Sequence, residues 1–296
     1  MNGLRIANVA LAVHQSKWPI STMLKLRVIT ALILAPSAVA AILFLGNSHF
    51  AMMMGLVITL AAWEWANISG IQSAASKTAY ALLNGLLMVL LYSLGNEYIY
   101  FATTLAAVVF WLFALALIVA YQKSSKGEFR LPVHALYLGP PVLVPAWTSL
   151  IMLHAHEPGG ARLVLLLMVL VWIADIAAYF SGKRWGRTKL CDRVSPGKSR
   201  EGVYGALLGV VIAAIVAALG NKLAPVDSLV LVAICLLSVI ASIVGDLFES
   251  LVKRIGNVKD SGNILPGHGG ILDRIDSLTA ALPVFVALLW VWERLI

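Results

Sequence analysis

Nine runs of apolar residues, each close to twenty long, decide what this chain can become. They centre on 27–46, 49–68, 77–95, 99–121, 134–153, 162–182, 203–220, 227–248 and 276–294. A helix needs roughly 20 mostly apolar residues to cross the hydrocarbon layer of a bilayer. Only 12% of the residues are charged and mean hydropathy is +0.90, where a soluble domain carries about twice that charged fraction. Alternating strands of a membrane barrel are absent, so backbone polar groups must be satisfied within helices. The expected architecture is all-α: a polytopic integral membrane protein with about nine transmembrane helices. Pro140, Pro141 and Pro145 fall in the fifth run and are expected to kink or break it.

Charge orients the bundle. Lysine and arginine accumulate in short cytoplasmic loops. With the N-terminus cytoplasmic, one side collects Lys25, Arg27, Lys77, Lys123, the basic run from Lys183 to Arg200, and Lys253 to Arg274. The other side keeps only Arg162, Lys222 and Arg294. An odd number of crossings, with the C-terminus on the opposite side, preserves this segregation. The expected division is a cytoplasmic extension over 1–26, N-terminal membrane helices over 27–155, and a C-terminal catalytic part over 156–296. Cytoplasmic loops are expected at 183–202 and 249–276. Residues 1–22 precede Met23 and read as a dispensable extension.

The net charge of +8 then reports a basic membrane face suited to anionic headgroups and anionic soluble substrates. No nucleic-acid-binding motif is present. Cys191, in a loop, and Cys235, in a helix, are placed far apart by this topology, which argues against a structural disulfide.

Acidic groups are rare in the first half. Glu64, in "AAWEWANI", is flanked by Trp63 and Trp65, which points to an anchor at the membrane interface; a partner inside the bundle is the second reading. Beyond residue 170 the pattern changes. Asp175 shares a helical face with Tyr179 and Gly182, and an acid in a spanning run needs a cation or a donor. The run "SPGKSREG" brings the Ser195 hydroxyl, the Lys198 ammonium and backbone amides towards any phosphate. It is not a P-loop: the position five before Gly197 is Asp192, not glycine, and no buried strand leads in.

Near the end of the eighth run, Asp246, Glu249, Ser250 and Lys253 fall at i, i+3, i+4 and i+7, one helical stripe. An amphipathic helix end is the plain reading; an acid, a hydroxyl and a base facing a polar pocket is the sharper one. The stretch "NVKDSGNILPGHGGILDRIDS" follows, with Asp273 and Asp276 one turn apart. Carboxylates from two helices can share one Mg²⁺, whose ligands are hard oxygens and phosphates. Zinc is disfavoured by the lack of cysteine or histidine partners near His268. Glycines here allow close backbone approach or φ > 0. Lys253, Arg254, Lys259 and Arg274 can neutralise a polyphosphate. Together these features point to phosphoryl or nucleotidyl transfer at a membrane surface.

The run Ser250 to Asp276 resembles the signature of the CDP-diacylglycerol synthases, or phosphatidate cytidylyltransferases: S-x-hydrophobic-K-R, four residues, K-D, a small residue, then H-G-G and D-R-x-D. Every fixed position is met, and the likeness extends through "SPGKSREG", Asp175 with Tyr179, and "AAWEW". Arg200 departs from it, standing where many relatives carry tryptophan. The resemblance implies that CTP and phosphatidate become CDP-diacylglycerol and pyrophosphate, in a homodimer of the inner (plasma) membrane whose site faces the cytoplasm. It implies that Asp246 and Asp273 bind Mg²⁺, with room for a monovalent cation such as K⁺. Asp260 and Asp276 then support that shell, Lys253, Arg254, Lys259 and Arg274 bind phosphates, and Ser195, Lys198 and Ser250 contact substrate. Asp175 orients a metal-bound water or the nucleotide, and His268 either donates to a phosphate or shapes the glycine turn. A CTP-dependent polyprenol kinase shares the same metal and basic clamp. A transporter fits less well, since its binding groups belong at mid-bilayer.

Overall fold

The structure is a computed structural model that describes residues 20–125, 129–131 and 133–295. Most of the expected N-terminal extension therefore lies outside the described residues. Nine α-helices are found among them: α1 (Ile20–Phe44), α2 (Asn47–Ile68), α3 (Ala74–Leu94), α4 (Glu97–Lys123), α5 (Gly139–His154), α6 (Gly160–Trp185), α7 (Arg200–Gly220), α8 (Pro225–Ile255) and α9 (Leu272–Leu295). Among the described residues, eight spans are long and apolar enough to cross a membrane, and Val28–Phe44 of α1 is a further apolar helical stretch. Side chains such as Leu83, 63% exposed, stud the outer faces. Such surfaces would drive aggregation in water, and lipid is the solvent that tolerates them. The chain is a multi-pass membrane protein.

Helix boundaries follow local chemistry. Ser73, Asn96 and Ser199 accept hydrogen bonds from the first-turn amides of Ser76, Tyr98 and Gly202, capping α3, α4 and α7. The proline-rich fifth run does not break. A 3₁₀ turn over Ala135–Leu138 leads into α5, Pro140 and Pro141 occupy its first positions, and the helix continues through Pro145 to His154. Proline is at home where the amide would lack an intrahelical partner anyway. One addition to the helical scheme is a small antiparallel hairpin, β1 (Lys189–Cys191) with β2 (Ser195–Ser199), pairing Cys191 with Ser195 and Lys189 with Ser199.

Two close approaches set the geometry of the C-terminal helices. A Cβ on Gly205 of α7 would stand 2.0 Å from the Ser181 hydroxyl of α6, so only glycine permits this packing. A Cβ on Gly245 of α8 would stand 2.6 Å from the Asp276 carbonyl oxygen of α9. This crossing brings Asp246 beside the first turns of α9. Just below, Phe248 of α8 meets Trp111 at 5.8 Å and Phe110 at 5.7 Å, both on α4, and Trp65 of α2 at 6.4 Å between ring centroids. The buried aromatic cluster locks α8 to the N-terminal helices directly under its acidic stripe. At about 46 Å long, α8 exceeds the roughly 30 Å hydrocarbon layer, and its charged residues from Asp246 to Arg254 fall in its last turns.

The ends of α2, α4, α6 and α8 and the starts of α3, α5, α7 and α9 gather at one face of the bundle, with Lys77, Lys123, Lys183, Lys198 and Lys253. At the opposite face, Arg294 pairs with Glu97 at 3.3 Å and His156 with Glu293 at 3.1 Å. Gly205→Ala is expected to destabilise the protein by about 1–3 kcal/mol through overpacking against Ser181, read as a lower unfolding midpoint in detergent.

Candidate active site

The charged stripe of α8 divides its work between two lysines. Lys198, from β2, forms an ion pair with the Asp246 carboxylate. The Ser250 hydroxyl reaches the other Asp246 oxygen at 3.5 Å. This pair lines a cavity of about 350 Å³ whose walls include Asp175, Tyr179 and Lys183 of α6, Ser199 and Gly202, Ser242 of α8 and Ser277 of α9. Asp175 thus lines the same cavity as Asp246 and Lys198. Ser195 does not line this cavity; its neighbour Ser199 does, while also capping α7.

Lys253 holds the second centre. Its ammonium lies 2.9 Å from Glu249 Oε1 and 2.7 Å from Asp273 Oδ1. All three side chains are withdrawn from solvent, 11%, 3% and 9% exposed respectively. Asp273 also accepts the amide of Ser261 at 3.1 Å and that of Gly270 at 2.9 Å. Its carboxylate therefore closes the loop between α8 and α9 and fastens it to Lys253. Asp276, one turn further, accepts the Ser277 amide at 2.7 Å. Glu249 was visible in the stripe but not singled out as a site residue. Only the packing shows that it is buried and shares the lysine with Asp273.

The remaining basic groups spread outward. Arg254 donates from Nε to the Val194 carbonyl at 3.1 Å, tying α8 to the hairpin, and Lys259 is exposed on the loop. Asp260, His268 and Arg274 line a separate cavity of about 580 Å³ with Asn263 and residues 265–269. Arg274 donates to the His268 carbonyl at 3.0 Å, and His268 Nδ1 lies 2.6 Å from the Thr30 hydroxyl of α1. The hairpin is fastened from below: Arg193 stacks 4.7 Å over the Tyr121 ring and donates to the Tyr121 carbonyl at 2.7 Å. A hydrogen bond from Gln122 holds Asp192 below the usual carboxylate range, and burial pushes the Cys191 thiol above its ordinary one. A buried thiol of this kind is inert, and both cysteines are free.

Glu64 overturns the first reading made of it. It is not an exposed anchor but fully buried, 0% exposed, with partners inside the bundle: it accepts the Leu272 amide at 2.8 Å and the Ser261 hydroxyl at 3.2 Å. The flanking tryptophans misled because Trp65 is itself buried, its indole N–H donating to the Ala135 carbonyl at 2.9 Å.

Among the described residues, no three His, Cys, Asp or Glu side chains converge as a metal cage. Mg²⁺ does not require one: it takes one or two carboxylates and completes its shell with water and phosphate oxygens. Asp246 suits that role, offering a hard oxygen with only one long contact to Ser250 inside an open cavity. Asp273 offers the same donor type with Lys253 as its present cation.

Fold and site together define a class: a multi-pass membrane protein with paired acids and lysines beside a cavity fit for an anionic substrate. A model of the cytidylyltransferase family matches residues 25–292, and the chain belongs to that family. A phosphatidate cytidylyltransferase of Pseudomonas aeruginosa is 46% identical over 271 residues, 90% of this chain and 97% of the relative. One from Haemophilus influenzae is 36% identical over 280 residues, 89% and 97% of the two chains. One from Bacillus subtilis is 35% identical over 216 residues, 70% and 77% of the two.

Removing one member of a buried ion pair strands the other charge. Lys253→Met is therefore expected to destabilise by about 3–5 kcal/mol, seen as a large drop in the unfolding midpoint in detergent.

Proposed function

We propose that this protein is a phosphatidate cytidylyltransferase, carried by one observation: Lys198 and Asp246 meet with Asp175 in a cavity at the basic face of the bundle. A phosphate oxygen of phosphatidate forms a bond to the α-phosphorus of CTP, the bond from that phosphorus to the β-phosphate bridging oxygen breaks, and pyrophosphate leaves. The products are CDP-diacylglycerol and pyrophosphate. A phosphate monoester is already anionic near neutral pH, so no strong general base is needed and positioning dominates. Lys198 and Lys183 neutralise phosphate oxygens at the cavity, and Ser242, Ser277 and Ser250 supply hydroxyl contacts. Asp246, with Asp273, would hold Mg²⁺, which when bound supplies charge neutralisation on the triphosphate; a monovalent ion beside it belongs to the same proposal. Arg274, Lys259 and Arg254 extend the positive field towards the nucleotide, with Asp260 and Asp276 keeping those groups in place. The acyl chains stay in lipid, against the exposed apolar faces of α6 and α7. The basic face is proposed to be cytoplasmic, in the inner (plasma) membrane, by the charge bias of its loops.

Purified protein given CTP labelled at the α-phosphorus, phosphatidate and Mg²⁺ is expected to form labelled CDP-lipid and pyrophosphate. A polyprenol kinase would instead make lipid phosphate and CDP. In sealed vesicles, external CTP should react only where the basic face is outward. Asp246→Asn should reduce turnover to background while extraction from membranes is unchanged, and Lys198→Ala should raise KM more than it lowers kcat. Retained turnover in Asp246→Asn would remove that residue from the metal site, and an unchanged KM in Lys198→Ala would remove the hairpin from substrate binding. Two copies are proposed to pair within the bilayer, and light scattering of the detergent-solubilised particle should return twice the chain mass.

A further inference from the structure

The loop from Ser261 to Gly270 carries the small residue and the H-G-G of the family signature; the Leu265–Gly269 bridge shapes its tip, and its two ends are held from outside. It is gripped by two carboxylates, both of which hold Ser261. Asp273 takes the amides of Ser261 and Gly270. Glu64, nearly two hundred positions earlier in the chain, takes the Ser261 hydroxyl and the Leu272 amide. Leu272 opens α9, where the first amides have no partner within the helix, and a carboxylate there also complements the positive end of the helix dipole. Glu64 thus caps α9 from a different helix.

The sequence around the carboxylate is shaped to admit it. A Cβ on Gly262 would lie 2.3 Å from Glu64 Oε1, and one on Gly270 would lie 2.5 Å from Glu64 Oε2 and 2.0 Å from the Ser261 hydroxyl. Oε1 has no hydrogen-bond partner among the described residues; Oε2 does the holding. A second strut runs alongside: Asn67, one turn after Glu64, donates to the Ser261 carbonyl at 3.2 Å and accepts from Lys77 at 2.6 Å.

We propose that Glu64 is a positioning residue for cytidylyl transfer, a latch that sets the Ser261–Gly270 loop and the first turn of α9 so that Asp273 stays engaged with Lys253 beside the proposed site. The assignment deepens the proposed function and rests on it for the catalytic consequence, but the latch itself is read without turnover. It acts by accepting hydrogen bonds, so an amide of the same length keeps it and a shorter acid loses it.

The test is hydrogen exchange and steady-state kinetics on the full-length protein in detergent, for Glu64→Ala, Glu64→Asp, Glu64→Gln and Ser261→Ala. Glu64→Ala and Glu64→Asp should deprotect the amides of residues 261–272 while α4 and α8 stay protected, and kcat should fall about 10²-fold, the cost of an ångström-scale misplacement. Glu64→Gln should restore both protection and kcat, and Ser261→Ala should lie between. If Glu64→Ala fails to fold, Ser261→Ala and Glu64→Gln still decide the matter. Parent-like protection at 261–272 in Glu64→Ala or Ser261→Ala overturns the latch, and so does a Glu64→Gln protein as impaired as Glu64→Ala, which would assign the role to charge. Should the parent protein transfer no cytidylyl group, the proposed function fails, while the exchange pattern still reports on the latch.

Discussion

The ammonium of Lys253, shared between Glu249 and Asp273, is the interaction on which the C-terminal half depends. Three charged side chains are withdrawn from solvent at the end of a membrane helix, and each is tolerable only because of the other two. Glu249 and Lys253 belong to α8, and Asp273 to α9. The ion cluster therefore fixes how the last two helices end relative to each other, and Asp273 passes that constraint to the loop through the amides of Ser261 and Gly270. Buried ion pairs contribute little net stability against an apolar alternative. What this one does is fix the register of α8 against α9 and of the loop between them.

Around this cluster the molecule keeps its second lysine in reserve. Lys198 is carried on a short hairpin that is stapled to α4 by Arg193 and Gln122 and to α8 by Arg254. The hairpin is thus held at its turn, while Lys198, at the far end of β2 beside α7, reaches Asp246. The cavity beside it combines hydroxyls, an acid and lysines with walls from α6, α7, α8 and α9, and the glycine contacts of α7 against α6 leave no space for larger side chains there. The geometry suits a phosphate headgroup approached from lipid, with the charges at the bundle end and apolar faces beneath.

How much of this was legible beforehand depends on the range of the forces involved. Membrane helices are local: each needs only its own apolar run, so eight of the nine expected spans recur as long apolar helices among the described residues and the first falls within α1. The stripe Asp246, Glu249, Ser250, Lys253 was equally legible, because helical spacing alone puts those residues on one face. The break expected at the prolines did not occur, since two of them stand at the start of α5, where they have no amide bond to spoil. Glu64 was misjudged for a different reason. Its neighbours Trp63 and Trp65 mimic an interfacial belt, and only the packing of α2 beneath the distant loop shows Trp65 buried and the acid capping α9.

The sequence by itself determined that the chain lives in a membrane, that its basic residues gather at one face, and that its signature residues belong to a cytidylyltransferase. The first two follow from composition, periodicity and short-range spacing, the third from the resemblance of Ser250 to Asp276 to a known signature. Only the tertiary structure decided that Lys198 pairs with Asp246, that Lys253 bridges Glu249 to Asp273, and that Glu64 holds the loop. Such pairings join residues tens to hundreds of positions apart, and a charge in a low-dielectric interior selects its partner by where the helices cross, which no local pattern encodes.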